Sequence, residues 1–504
     1  MNARYYVACD LGAESGRVML GTLRDERLSV EELHRFPTGP TTISGTLRWD
    51  VLRMFDELKA GLAKVAKRSV PVAGISCDSW GVDYVLVRED EPLLSAPYHY
   101  RDARTDGMMD RAFGIVPADE IYAETGIQFM AFNTLYQLLA DARQRPDLLG
   151  VASRFLLIGD YFNFLLSGVP CAEESLASTT QVLQPGSRQW AGTLIDRFNL
   201  PRRIFPDIVP SGTVLGSLRP DIADETGLTD VSVVASCSHD TGAAVAAVPA
   251  EGTGWGYISS GTWSLLGVEL PGPLITSRGR EFGFTNEVGY GGTIRFLKNI
   301  IGLWVVQECR RAWVREGEEF TYESLVSMAG GAPPFGAFID PADPLFGKPG
   351  DMPARIREYC SATGQKPPST PGATVRCILE SLALLYRSTL GMLEEASGQQ
   401  LSTLHIVGGG SRNALLNQFT ADATGRTVVA GPDECTAIGN ILVQSIALGH
   451  TGSLAAARKV VRDSLPLTRF IPAGVKTWES AYRRFEAVRK ERGRLSVASP
   501  TLQN

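Results

Sequence analysis

The sequence predicts an α/β protein built from two similar halves, and three observations carry that prediction. The chain has 504 residues, too many for one hydrophobic core and enough for two or three domains. Short apolar strand patterns alternate with helical ones along it. A strand–turn–strand unit near residue 255 repeats the one that opens the chain, and such repetition marks a duplicated architecture.

The elements follow in order. Tyr5–Cys9 is apolar and β-prone, Asp10 to Gly16 reads as a turn, and Arg17–Leu23 resumes the strand. A third strand is expected over Leu28–Phe36 and a helix over Asp50–Lys67. Val72–Cys77 reads as a strand ending at Asp78-Ser79-Trp80-Gly81-Val82-Asp83. From Asp102 to Leu166 the pattern is mostly helical, punctuated by Gly126 and Asn133. Val231–Ala235 is a strand leading into Ser236 to Gly242 and a run of small residues, Ala243 to Val248. Pro249 to Gly254 breaks the pattern, which places a domain boundary there.

The second half opens like the first, with strand, small-residue turn and strand over Trp255–Val268. Pro/Gly-rich loops are expected at 330–353 and 366–372. Val375, Ile378, Leu379, Leu382, Leu385 and Tyr386 fall at helical spacing, and Gly398 supplies the stop. Leu404–Val407 is a buried strand, followed by Gly408-Gly409-Gly410 and a helix bearing Asn417, Gln418 and Asp422. Trp478–Arg492 reads as a charged helix, and the final residues are expected to fray.

Composition excludes several function classes. A net charge of -6 and a pI near 5.6, with no Lys/Arg run, argue against nucleic acid. An acidic protein that binds phosphates must do so locally, with backbone N–H groups, a metal and a few aimed side chains. Met1 to Val7 carries no signal-peptide pattern, and no stretch is apolar enough to span a bilayer, so a cytoplasmic protein is expected. The eight cysteines form no C-x-x-C pair, and reduced thiols are the plain reading. Cys360 and Cys377 are close enough in sequence to pair if the fold brings them together.

Four segments carry candidate chemistry. An acidic residue at a strand end beside a Gly/Ser turn, as at Asp10, can hold Mg²⁺ through water while backbone N–H groups face phosphate. The same residues also suit an ordinary hairpin with an Asx turn. No G-x-x-x-x-G-K-[ST] loop is present. Asp240 stands where a strand gives way to a helix. It suits an N-cap, and equally a base that takes a hydroxyl proton in phosphoryl transfer. Ser259-Ser260-Gly261-Thr262 repeats the first turn, and Gly408 to Asn413 lies at a strand-to-helix junction where backbone can approach a nucleotide. Asp433 to Asn440 reads as a helix start bordering the same site. Tyr100 to Thr105 reads as a solvated charged face, and Trp80 either stacks on a sugar or fills core.

The order of Asp10-Leu11-Gly12, Ser238-His239-Asp240-Thr241-Gly242, Ser259-Ser260-Gly261-Thr262 and Val407-Gly408-Gly409-Gly410-Ser411 resembles the FGGY carbohydrate kinases, from about Tyr5 to Gly449. Asp78 to Asp83, Tyr100 to Thr105, Gly126 to Phe129, Phe132 to Leu138 and Leu297 to Trp304 are closer still to the L-rhamnulose-phosphorylating branch of that family. The resemblance implies two ribonuclease-H-like, actin-like ATPase domains flanking a central cleft. Residues 1–248 would bind sugar and carry the base, 249–470 would bind nucleotide, and 471–504 would form a C-terminal helix and tail.

By the same resemblance Asp240 is the general base and Asp10 orders Mg²⁺. Ala13, Glu14, Ser15, Gly16, Arg17, Thr262, Gln307 and Gly409 contact ATP. Gly81, His239, Asp240, Thr241 and Asn299 contact the sugar. Relatives usually carry Ser or Thr where Glu14 stands; a carboxylate there repels phosphate unless it points outward or reaches the metal. The implied reaction converts L-rhamnulose and ATP to L-rhamnulose 1-phosphate and ADP, in a monomer or homodimer. L-fuculose or a xylulose is the runner-up substrate. An ATP-hydrolysing chaperone or activase on the same fold, or a catalytically dead sugar-responsive regulator, are the rivals from other classes.

Overall fold

The computed structural model describes residues 3–498, with side chains as far as residue 495. The expected fraying of the final residues, and Met1-Asn2 of the leader reading, lie outside the described residues. The chain separates into two compact units. The first comprises the chain up to Glu251 with Val268–Leu297 and Glu434–Leu465; the second comprises Gly252–Gly267, Lys298–Asp433 and the chain from Pro466 onward.

In the first unit, β1 (Arg4–Leu11), β2 (Ser15–Arg24), β3 (Arg27–Pro37), β4 (Val72–Ser79), β5 (Thr213–Ser217) and β6 (Ser232–Ala235) form one sheet in the order β5-β6-β4-β1-β2-β3. β1 pairs antiparallel with β2 and parallel with β4. Its middle is buried on both faces, which is why Tyr6 to Cys9 reads as a continuous apolar run. The helix Val51–Ala66 covers the sheet with Val51, Met54, Leu58, Leu62 and Val65, at helical spacing. Asp50 caps it by accepting from the Arg53 amide at 3.1 Å.

In the chain that follows, β7 (Trp255–Ser260), β8 (Trp263–Leu270), β9 (Thr285–Val288), β10 (Ile294–Ile301), β11 (Thr403–Val407), β12 (Thr427–Ala430) and β13 (Thr468–Phe470) form a second sheet, in the order β9-β10-β8-β7-β11-β12-β13. Here β7 pairs antiparallel with β8 and parallel with β11. The opening hairpin and its parallel partner strand are therefore repeated.

Several expectations need correction. The first turn is shorter than the sequence implies, because strand pairing carries Asp10 and Leu11 inside β1. β4 runs through Asp78 to Ser79. The stretch read as mostly helical contains the strand Arg154–Leu157, which pairs antiparallel with Tyr84–Val87. The long helix begins at Pro371 rather than Val375: Thr370 caps it and proline takes the first turn, where its missing N–H costs nothing. The expected loop at 330–353 holds a short 3₁₀ turn and the start of the helix Met352–Ala362. The last helix spans Val475–Ala498. Cys360 and Cys377 are free, buried thiols, as is every cysteine among the described residues.

Candidate functional site

Strand register assembles the first cluster. Asp10 on β1 is level with Asp78 on β4 and with Arg17 on β2. The Arg17 guanidinium donates to Asp10 on one side and to Glu434 on the other. Burial pulls the Arg17 pKa down, but the two carboxylates more than offset this and hold it above its ordinary value. Glu434 precedes the helix Cys435–Ala447, whose Asn440 donates to Asp78 Oδ2 at 2.5 Å. Gln444, one turn on, donates to Asn440 Oδ1 at 2.7 Å and to the Val7 carbonyl at 2.9 Å. Asp78 is fully buried, and its Oδ1 has no hydrogen-bond partner. Burial raises its pKa well above the usual range, and the charges of Asp10 and Asp240 push the same way.

The turn that follows Asp10 is tight. The Gly12 amide donates to the Ser15 carbonyl at 3.0 Å, and Thr38 binds both the Gly12 and Glu14 carbonyls. A Cβ on Gly16 would lie 2.4 Å from the Phe36 ring, so glycine is required there. Ala13 and Ser15 are half-buried, and Glu14 is exposed.

Asp240 follows β6 across the short link Ser236–Ser238. The sequence allows it as an N-cap; in the structure His239 holds that position and Asp240 is the first residue of the helix Asp240–Ala246. His239 sits in extended backbone, and its carbonyl accepts the Ala243 amide at 3.0 Å. The Asp240 side chain keeps 30 % exposure and lies 3.3 Å from His239 Nε2. Its Oδ1 accepts from the Thr241 amide and hydroxyl. Burial raises its pKa; His239 opposes the shift, Asp10 reinforces it, and the Thr241 bonds hold it back. His239 Nδ1 lies 3.1 Å from the buried Arg295 guanidinium and 3.3 Å from Glu287. The helix that Asp240 opens packs closely on the helix Cys435–Ala447: a Cβ on Gly439 would come 1.8 Å from the Ala243 carbonyl oxygen.

Gly81 lies in a strained turn. Val82 has φ +70°, unfavourable for a β-branched residue. The Val82 amide donates to Thr179 Oγ1 at 3.2 Å, and its carbonyl accepts from Thr134 at 2.7 Å. A Cβ on Gly81 would meet Thr179 Oγ1 at 2.8 Å. Asp83, fully buried, accepts from the Trp49 and Trp80 indoles, the Tyr100 amide and Gln137. Burial pushes its pKa to about 6 against those bonds. Trp80 packs 4.1 Å from Trp49 and fills core. The segment Tyr100 to Thr105 is not a solvated face. Asp102 and Thr105 are buried, and the Arg104 guanidinium pairs with Asp141 at 2.5 Å.

The second unit assembles a different set. Gly261 closes its turn by donating to the Trp263 carbonyl at 2.8 Å. Gln307 donates to Thr262 Oγ1 at 3.2 Å, and its own Oε1 is buried without a partner. Gly408 has φ +80°, Gly409 is exposed, and Gly410 packs so closely that a Cβ would sit 2.0 Å from Ser260 Oγ. The turn, Gln307 and the glycine run are thus neighbours. Asn299 lies half-buried on β10, also in this unit.

Asp10 and Glu434 share one guanidinium, Asp78 feels the charges of both Asp10 and Asp240, and one Asp78 oxygen is orphaned. That donor set fits a hard divalent cation with oxygen ligands. No cluster of three metal-ligating side chains stands at direct coordination spacing among the described residues, so water would complete the shell. The sequence reading passed over Asp78 and Glu434 as site residues, although both stand in quoted motifs. Glu173, Glu287 and Arg295 it did not single out at all, because nothing local distinguishes a buried charge from a surface one.

Known proteins resemble the chain over most of its length. The N-terminal domain of the FGGY family of carbohydrate kinases matches residues 5–247 and its C-terminal domain matches 256–448. A rhamnulokinase of Bacteroides thetaiotaomicron is 42% identical over 95% of this chain and 98% of its own. One of Oceanobacillus iheyensis is 40% identical over 92% and 97%. Among solved structures, a xylulose kinase of Lactobacillus acidophilus superposes with a TM-score of 0.80 at 14% identity, covering 99% of both chains. A Plasmodium falciparum glycerol kinase with ADP gives 0.76 at 13% identity, covering 97% of this chain and 98% of its own. At such identities these structures establish the two-domain α/β kinase fold alone.

Proposed function

Because the chain belongs to the FGGY family of carbohydrate kinases, we propose that the sugar it phosphorylates with ATP is L-rhamnulose, giving L-rhamnulose 1-phosphate and ADP. Relatives named rhamnulokinase, matched over more than nine-tenths of their length, support that choice of ketose.

The observation that carries the chemistry is Asp240: a desolvated carboxyl at a strand–helix junction, still 30 % exposed. It is the base that takes the proton from the sugar O1 hydroxyl as that oxygen attacks the γ-phosphorus. Gly81, His239, Thr241 and Asn299 orient the ketose. Ala13 to Arg17 receive the phosphates, and Thr262, Gln307 and Gly409 hold the nucleotide. Glu14, being exposed, leaves the backbone of the turn to make the phosphate contacts. Asp10 would hold Mg²⁺ through water, and Asp78, whose Oδ1 has no partner, would add an oxygen ligand. Bound there, the ion supplies charge neutralisation at the transferring phosphoryl group. Residues 1–248 serve the sugar, 249–470 the nucleotide, and 471–504 form the terminal helix and tail. The protein works in the cytoplasm as a monomer or homodimer.

A coupled ADP-release assay across a ketose panel tests the reading. It expects the highest kcat/KM for L-rhamnulose. Preference for L-fuculose or a xylulose would replace the substrate, and equal ADP release without sugar would replace the function.

A further inference from the structure

The base is the first residue of its helix, and it is reached from β6 across a link, Ser236–Ser238, that belongs to neither element. Such a segment needs something to hold it, since a misplacement of about 1 Å in a reacting group costs up to ~10²-fold in rate. On one side β4 holds it: the Ser79 amide donates to the Ser238 carbonyl at 2.8 Å, and Ser79 bridges to His239. On the other side stands Glu173, some sixty residues earlier in the chain and fully buried.

We infer that Glu173 is the positioning residue for the base, fixing the backbone that immediately precedes Asp240. Its Oε2 accepts the Ser238 amide at 3.0 Å, the Leu176 amide at 3.1 Å and the Ser175 hydroxyl at 2.5 Å. Its Oε1 accepts the Ser175 amide at 3.0 Å and the Ser211 hydroxyl. Ser175 Oγ in turn accepts the His239 amide at 3.2 Å. The two residues before Asp240 thus hang from one carboxylate, directly at 238 and through a hydroxyl at 239.

A helix cap alone does not explain this residue. Ser, Thr or Asn would cap the four-residue helix Glu174–Ala177 without burying a charge. The basic group nearby, Arg188, pairs with Glu174 instead. Three backbone N–H groups and two hydroxyls converge here. Among side chains, only a carboxylate offers lone pairs on two oxygens and no competing donor.

The inference rests on Asp240 being the base, and the test separates the two. Glu173→Gln keeps the shape but turns an N–H toward the Ser175 amide in one orientation, or toward the Leu176 and Ser238 amides in the other. In the full-length enzyme, assayed well below its melting temperature, kcat should fall about tenfold with KM for ATP unchanged. Glu173→Asp, which keeps the charge, should recover part of the loss. In an Asp240→Asn background, Glu173→Gln should cost nothing further, because the group it positions is gone. An unchanged kcat, or an equal loss in both backgrounds, overturns the inference. Should Glu173→Gln not fold, Ser175→Ala decides: a loss of about threefold, absent in the Asp240→Asn background, supports it, and an unchanged kcat overturns it. If Asp240→Asn alone keeps its turnover, the base assignment fails, and this inference with it.

Discussion

The hairpins β1–β2 and β7–β8 share one plan. In each, two antiparallel strands meet at a small-residue turn, and the first strand lies parallel to the next strand of its sheet, β4 or β11. They differ in chemistry. The first has Asp10, Arg17 and Glu434 in one ion-pair chain, with Asp78 level with Asp10. From Tyr257 to Val268 the second has no charged residue; its surroundings are Ser260, Gln307 and the Ser264 hydroxyl, 2.6 Å from that of Tyr386. A duplicated scaffold therefore leaves the side chains at its turns free to diverge: one half concentrates carboxylates, and the other offers backbone and neutral donors.

The comparison breaks most directly at the acids. Asp10→Asn should lower kcat by about 10²–10³-fold, the scale of losing preorganised charge at a phosphoryl group. Thr262→Ala, on the neutral turn, should mainly raise KM for ATP, by roughly three- to tenfold, the loss of one hydrogen bond. Equal effects on kcat in steady-state assays would erase the distinction.

Arg17→Met leaves Asp10 and Glu434 facing each other without their shared cation. Urea unfolding should record a loss of about 3 kcal/mol, as when one partner of a buried pair is removed. No loss would mean that the ion pair is only a surface contact.

Two adjacent glycines sharpen the account of the neutral side. Gly410→Ala drives a methyl group into Ser260 and should cost about 1–3 kcal/mol of stability by overpacking. Gly409→Ala meets nothing within 4 Å, so it should leave the melting temperature unchanged and raise KM for ATP. If the two variants behave alike, the glycine run is not the backing of the second turn.

Acid should weaken the first unit around His99, whose ring packs 4.3 Å from Trp49. Burial, helped by Arg101, depresses its pKa to about 3. The unfolded chain therefore takes up this proton first, and stability drains away as pH falls from about 6.5 toward 3. Asp83 runs the other way. Its folded pKa near 6 lies above the unfolded value, so protonation there restores some stability below pH 6. His99→Phe should abolish the His99 part, worth about 2 kcal/mol between pH 6.5 and 5. Melting curves of both proteins across that range check it, and an unchanged acid slope would contradict the assignment.

Local patterns made much of this legible. Apolar runs located β1, β4 and β11, helical spacing located the long helix, and the repeated turn revealed the duplication. What escaped depends on long-range partners. Arg104 looks solvent-facing until Asp141, 37 residues on, is folded beside it. Glu173 and Glu174 look like any surface acids until Ser211 and Ser238 arrive. The start of the helix at Pro371 was hidden because proline signals both a loop and a first helical turn. The motif singles out Asp240, but it does not reveal that His239 takes the cap.

The central claim is that Asp240 takes the hydroxyl proton, and its most direct test is single-turnover phosphoryl transfer by Asp240→Asn at saturating L-rhamnulose and ATP. The account predicts a rate at least about a hundredfold below wild type, with sugar binding retained in calorimetry. Transfer within a few-fold of wild type would contradict it.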